Sequence, residues 1–230
     1  MNDKMTLKEF KVVFDKVKAL GFVQTKRRGP TGVGHTLEEL LGLDENNIAL
    51  PDLHDAELKA HRIGSSSMIT LFTFNRKAWK MDPLVAIRTY GTPDRTGRLG
   101  LYFTMSLTPN SHGLFLHTDA SAISVRHISG KVIAEWQLVD LKQQFLSKFT
   151  AMILVSAFCE ERAGVEWFHY SRARLLTQTS SDTLLNQIRS GNIMVDLRLH
   201  DKGKSARNHG TGFRAYEDKL PLLFNKVQDL

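Results

Sequence analysis

The chain has 230 residues, 42% of them hydrophobic and 24% charged, a composition that supports a core in one large or two small lobes and argues against disorder. Its formal charge of +7 draws anionic partners at long range, with nucleic acid the first candidate and membrane surface the competitor. No apolar run approaches the roughly 18 residues of a membrane span, the opening Met1-Asn2-Asp3-Lys4 carries no apolar signal core, and the sole cysteine, Cys159, excludes an internal disulfide and a cysteine-rich zinc site, so a cytoplasmic protein with no membrane partner is expected.

Residues 6–20 read as an amphipathic helix, with Leu7, Phe10, Val13, Phe14 and Val17 on one face, Thr6 as cap and Gly21 as stop. Lys26-Arg27-Arg28 follows, a basic cluster that is either solvated or laid on phosphates. Residues 29–42 read as a glycine-rich turn and a short helix: Thr36 as N-cap, Glu39 completing a capping box, Gly42 as stop. Leu37, Leu40 and Leu41 form its buried stripe, which leaves Glu38 pointing elsewhere.

The centre of the chain's chemistry is Pro51-Asp52-Leu53-His54-Asp55-Ala56-Glu57-Leu58-Lys59. On an extended strand Glu57 and Lys59 share one face and Ala56 and Leu58 the other, with Asp52 close enough to turn back onto the first. Two adjacent carboxylates repel unless a cation joins them, and an Asp/Glu oxygen pair with room for water suits Mg2+. Lys59 is then placed to hold a water or steady charge on a phosphate. The competing reading is a solvated charged strand end. His54 and His61 flank this group as hydrogen-bonding supports, and none of the nine histidines shows the spacing of a zinc hydrolase.

Residues 68–74 are β-branched and aromatic, as expected of a buried strand beside the one that carries Glu57. A basic, aromatic segment then breaks at Asp82-Pro83. Residues 84–90, 101–105, 113–117 and 122–128 read as an antiparallel strand meander, 136–152 as a helix, and 153–158 as an apolar strand, with Cys159 at the end of the same run expected as buried packing. A strand is expected over 170–176 and a helix over 181–190, capped by Ser181 and stopped by Gly191. Residues 193–200 alternate so that Asp196, Arg198 and His200 share a polar face, followed by the basic loop 201–208 and by His209 to Arg214. An arginine fork reads a guanine edge and a carboxylate accepts from cytosine N4; an ordinary ion pair on a surface strand is the alternative. Together these elements predict a mixed sheet with helices on its faces, α/β or α+β.

The segments Lys26-Arg27-Arg28-Gly29, Gly34-x-Thr36-x-Glu38, Asp52-x4-Glu57-x-Lys59-x-His61, Leu71-Phe72-Thr73 and His209-Gly210-Thr211-Gly212-Phe213-Arg214 resemble the MvaI/BcnI family of type II restriction endonucleases. That family is grouped with the mismatch-repair nicking enzyme MutH among the PD-(D/E)XK nucleases, and the resemblance spans nearly the whole chain. It implies one bilobed endonuclease domain over 1–230 with a restriction-endonuclease-like mixed sheet, a catalytic segment at about 22–75 and a DNA-reading segment at about 188–216.

The resemblance also implies a chemistry. Asp52 and Glu57, with the Leu58 carbonyl, would bind Mg2+, Glu38 would approach as an additional acid, and Lys59 would orient the attacking water. Lys26, Arg27, Arg28, His61, Thr73, Asp196, Arg198, His209 and Arg214 would contact DNA. The expected partner is double-stranded DNA cut by a monomer to leave 5'-phosphates, with a cognate DNA methyltransferase as a functional rather than physical partner. MvaI-like members cut CCWGG, whereas BcnI-like members cut CCSGG and carry two histidines that probe the central pair; those positions fall here on Thr73 and Gly212. The MvaI-like pattern instead places an arginine, here Arg214, in the minor groove, where A·T offers only acceptors and a guanine amino group would obstruct it. The alternatives are a MutH-like strand-nicking repair enzyme and a basic DNA-binding module without catalysis.

Overall fold

The computed structural model describes residues 5–43, 47–49, 55–65, 68–75 and 77–230, with 47–49 and 55 described in backbone only. From the N-terminus come β1 (Met5–Thr6), α1 (Leu7–Ala19), β2 (Val23–Gln24), α2 (Gly32–Leu41), β3 (Asn47–Ala49) and β4 (Asp55–Arg62). Then follow β5 (Ile69–Thr73), α3 (Pro83–Tyr90), β6 (Thr92–Pro93), β7 (Leu99–Met105), β8 (Leu114–Thr118), β9 (Ala122–His127), β10 (Val132–Gln137) and α4 (Leu138–Lys148). The last third contains β11 (Ala151–Arg162), β12 (Val165–Thr177), α5 (Ser181–Arg189), β13 (Ile193–Asp201), β14 (Ala206–Asn208), β15 (Gly212–Ala215), a 3-10 segment (Glu217–Leu223) and β16 (Lys226–Asp229).

Two compact units result: Met1–Ser67 with Lys148–Ser180 and Pro221–Leu230, and Met68–Ser147 with Ser181–Leu220. In the first, the sheet among the described residues runs β1-β3-β4-β11-β12-β16, with β2 also on β12. Its centre is the parallel pair β4–β11 beside the long antiparallel pair β11–β12. Phe10, Phe14 and Val17 of α1 and Val33, Leu37 and Leu41 of α2 bury against Ala56, Leu58, Ile153, Val155, Phe168 and Tyr170. Thr6 starts α1 with a reciprocal capping box, its Oγ1 accepting from Glu9 N at 3.3 Å while the Glu9 carboxylate accepts from Thr6 N at 2.7 Å.

In the second unit the described strands form a sheet of order β5-β15-β13-β7-β6, with β14 on β13, and a separate antiparallel meander β10-β9-β8. Trp136 ties β10 to the end of β5, its indole N–H donating to Phe74 O at 2.7 Å. The fold is thus mixed α+β, with several sheets and flanking helices.

Five expectations are corrected. Residues 84–90 are not a strand but lie in α3, because Asp82 accepts from Leu84 N and Val85 N at 2.9 and 3.1 Å and Pro83 takes the first helical position, where no N–H is needed. Residues 69–73 form a strand, yet it pairs with β15, whereas the described neighbours of β4 are β3 and β11. Trp136 belongs to β10 and α4 begins at Leu138. Cys159 is exposed, since the β11–β12 hairpin runs past the core from Phe158 onward.

The fifth concerns α2, which starts at Gly32, one turn before Thr36. A Cβ on Gly32 would sit 2.3 Å from Arg27 O, so glycine is what lets the helix start against the preceding turn. Thr36 is buried in that helix, and its Oγ1 accepts from Lys26 N at 2.9 Å instead of capping. Gly42 does stop the helix, at φ 68°.

Candidate functional site

In the first unit, strand alternation turns Ala56 and Leu58 into the core and leaves Glu57 and Lys59 on the opposite face. Lys59 Nζ donates to Glu57 Oε1 at 2.6 Å, and the two side chains are only 21% and 16% exposed, so the ion pair is largely withdrawn from bulk water. Of the pair, Lys59 lines a cavity of about 240 Å³, together with Arg27, His35, Glu38 and Leu58 among others. The structure therefore brings Glu38, from α2, and Lys59, from β4, onto one cavity. Asp52, with Pro51 and His54, lies outside the described residues.

Three contacts fix α2 and its leading turn over β4. Tyr170 donates its hydroxyl to Val33 O at 2.8 Å, and burial pushes its phenol above the ordinary range, keeping it a donor. Lys26 is tied to Thr36 through its backbone, and its ammonium meets Glu39 at 3.3 Å on the surface. Arg62, which follows on β4, grips Glu166 through Nε and Nη2 at 2.9 Å and donates to Pro30 O and Gly29 O at 3.0 Å. Such a forked pair sets geometry as well as energy. Sequence reasoning missed Arg62 because its partners are distant in the chain.

Arg27 and Arg28 are exposed, as a phosphate contact requires. His61 is not: it is buried, with Nε2 at 2.9 Å from Ser156 Oγ and Nδ1 at 3.2 Å from Arg62 O. Both ring nitrogens thus face protein partners, and the ring braces the sheet rather than offering itself as the expected DNA contact.

Oxygen donors beside an ammonium suit a hard divalent cation, and Glu57 on Lys59, with Glu38 on the cavity that Lys59 lines, fits that donor chemistry. Among the described residues no three acidic, thiol or imidazole groups converge as metal ligands, with Asp52 outside that set.

In the second unit, β13 is paired on both sides, by β7 and β15. Asp196 is the hub: Oδ2 meets Arg214 Nη1 at 2.7 Å and Arg198 Nε at 3.2 Å, and Oδ1 accepts from Thr104 Oγ1 at 3.1 Å. Arg214 also donates to Met68 O at 2.6 Å, and its buried Nε has no hydrogen-bond partner among the described residues. Asp196 is 10% exposed in its side chain and Arg198 49%, so the arginine offers itself to a ligand far more openly than the carboxylate. His209 is exposed, its N–H bound to Arg198 O at 2.7 Å and its Nε2 lying 2.8 Å from His200 Nδ1. Thr73 and Gly212 are direct partners across β5 and β15. A Cβ on Gly212 would stand 3.2 Å from Phe72 O, so this position has little room for a side chain.

The model of the MvaI/BcnI restriction endonuclease family matches residues 12–224. The chain belongs to the MvaI/BcnI restriction endonuclease family. It is a site-specific deoxyribonuclease with the fold of MvaI. A solved complex of restriction endonuclease MvaI with its cognate DNA substrate is similar at 27% identity and TM-score 0.77, covering 97% of each chain. MvaI in the absence of DNA is similar at 26% identity and TM-score 0.54, over 100% of this chain and 99% of that one. No curated protein matches the chain. The two sets of residues differ in chemistry: carboxylates and an ammonium in the first unit, arginines, a carboxylate and imidazoles in the second.

Proposed function

We propose that this chain is a Mg2+-dependent type II restriction endonuclease that hydrolyses double-stranded DNA at CCWGG, leaving 5'-phosphate and 3'-hydroxyl ends. The observation that carries the reading is the half-buried Glu57–Lys59 pair on β4, whose lysine lines a cavity together with Glu38. Glu57 and Asp52, with the Leu58 carbonyl, would hold the cation, which when bound supplies charge opposite the scissile phosphate. Lys59 holds the attacking water by its ammonium and meets the negative charge that grows on the phosphate. Glu38 stands by as a further acid, and Arg27 and Arg28, with Lys26, lie on the backbone phosphates.

Support for the target sequence comes from the second unit. Neither Thr73 nor Gly212 carries an imidazole, and Gly212 is hemmed in by Phe72 O, so the central pair is left to Arg214 from the minor groove. Asp196 and Arg198 read the outer C·G pairs from the major groove, with His209 beside them. Asp196 and Arg214 cannot read opposite grooves while 2.7 Å apart, so engaging DNA exchanges their ion pair for base contacts. An odd-length, nearly symmetric site suits a monomer that nicks one strand, rebinds and nicks the other, in a cytoplasm where a cognate DNA methyltransferase protects the host's own sites. Domain roles follow: residues 22–75 include the catalytic segment and 188–216 the reading segment.

Digestion of a sequenced plasmid by the protein alone with Mg2+, with run-off mapping of the ends, tests this. Linear products ending at every CCWGG and at no CCSGG are expected. Nicked circles that need a second protein would point to a repair enzyme, and bound but uncut DNA to a binding module.

A further inference from the structure

His200 is a histidine that the proposed reaction leaves without a role. It lies on β13, two residues beyond Arg198, and is 5% exposed. Its Nδ1 stands 2.8 Å from His209 Nε2 and 3.2 Å from Tyr102 Oη. The two imidazoles meet nearly edge to edge, with centroids 4.8 Å apart and planes 30° from parallel, the geometry of an in-plane hydrogen bond. One proton can lie on that axis. Burial, reinforced by the charge of Arg98, holds His200 below its usual value and so in the neutral form. Meanwhile the His209 N–H is anchored on Arg198 O at 2.7 Å, so backbone and ring are fixed from two directions and only the far edge of the His209 ring is turned outward.

We propose that His200, backed by Tyr102, is a positioning residue for sequence reading: the Tyr102 hydroxyl donates to His200 Nδ1 and keeps that nitrogen an acceptor, so that the shared proton sits on His209 Nε2, the ring angle of His209 is fixed, and its Nδ1 edge meets DNA as one defined hydrogen-bonding group, an acceptor. A neutral imidazole otherwise presents either a donor or an acceptor at each nitrogen, and a reader that can do both discriminates between neither kind of base edge. Tyr102 takes the cross-strand position opposite Arg198, so β7 holds the pair from the side. The inference rests on the proposed role of His209 as a DNA contact.

Two substitutions of similar size separate positioning from packing. In His200→Asn the amide falls where Nδ1 was; in His200→Gln it falls where Nε2 was. Ring 15N shifts of His209 in the free protein read the tautomer directly. Wild type and His200→Asn should show one tautomer and His200→Gln a mixture. In cleavage, His200→Gln should lose roughly tenfold in preference for the cognate site over sites with one outer pair changed, with kcat on the cognate site nearly unchanged. Tyr102→Phe, at a half-exposed position that tolerates change, should give the same shift in smaller measure and serves if neither His200 variant folds. Equal behaviour of the Asn and Gln variants, or a single His209 tautomer throughout, overturns the inference, as does unaltered discrimination with an altered tautomer. Should the wild type cut a sequence other than CCWGG, the target assignment fails, while both readouts still judge the histidine pair at the site that is cut.

Discussion

The strand proposed to carry hydrolysis, β4, and the strand proposed to carry reading, β13, are each paired on both sides among the described residues, yet their side chains are held differently. On β4, Glu57 and Lys59 orient each other from two residues apart, so the alternation of one strand is enough to build the pair. On β13, Asp196 also meets Arg198 from two residues away, but it is held in addition by Thr104 and Arg214, which lie 92 and 18 residues away, and His200 of the same strand holds His209, 9 residues on. In the proposed reading the difference follows from what each strand must do. A carboxylate and an ammonium act on a phosphate through charge, which falls off gradually with distance. A base edge is told from its neighbour by the direction of a donor or acceptor, and direction needs bracing from more than one side.

If that contrast holds, the largest loss should come from the self-contained pair. Glu57→Ala should reduce Mg2+-dependent cleavage below detection while DNA binding in Ca2+ stays intact, because affinity comes from phosphate and base contacts. Lys59→Ala should cost at least about a hundredfold in kcat, again without weakening binding. In neither variant should the ratio between cognate and altered sites move. Equal losses of rate and affinity in Lys59→Ala would make it a phosphate anchor instead.

The same contrast explains what the sequence could tell. Period-two spacing put Glu57 and Lys59 on one face and Ala56 and Leu58 in the core, and the helix stops at Gly21 and Gly42 were readable because a left-handed residue has few candidates. Asp82-Pro83 announced α3 just as plainly, as N-cap and first helical residue, but β-branched Val85 and Ile87 with aromatic Tyr90 argued for a strand, and the cap prevailed. Bracing by distant residues left no local mark. Nothing near Asp196 names Thr104, nothing near Gly29 names Arg62, and the pairing of β5 with β15 rather than with β4 is a tertiary choice that any apolar strand could make.

Smaller effects should then appear as loss of choice rather than loss of speed. Asp196→Asn keeps the shape and removes the charge that gathers Arg198 and Arg214. Preference for the outer C·G pairs should drop about tenfold or more, irrespective of the central pair. Arg214→Ala should narrow the gap between CCWGG and CCSGG by about 1 to 3 kcal/mol in kcat/KM, with weaker binding. If Arg214→Ala instead weakened recognition of the outer pairs as Asp196→Asn does, the arginine would be a brace for Asp196 and not a probe of the minor groove.

The smallest expected effect is the most discriminating. Thr104 never meets the bases in the proposed reading; it is exposed on β7 and donates one hydrogen bond, 3.1 Å long, to Asp196 Oδ1. Thr104→Val retains the branched shape that suits a strand and deletes that bond, at a net cost of about 1 kcal/mol. If the reading strand depends on bracing, roughly that amount should be lost from the preference for the outer pairs, about a fivefold change, with kcat on the cognate site unchanged and Tm lowered by no more than about 2 to 4 °C. The measurement is a set of cleavage rates on the cognate site and on sites with each outer pair replaced. A variant that cuts all of them with wild-type ratios would show that Asp196 is held well enough by Arg198 and Arg214 alone, and the contrast between the two strands would reduce to the number of their neighbours.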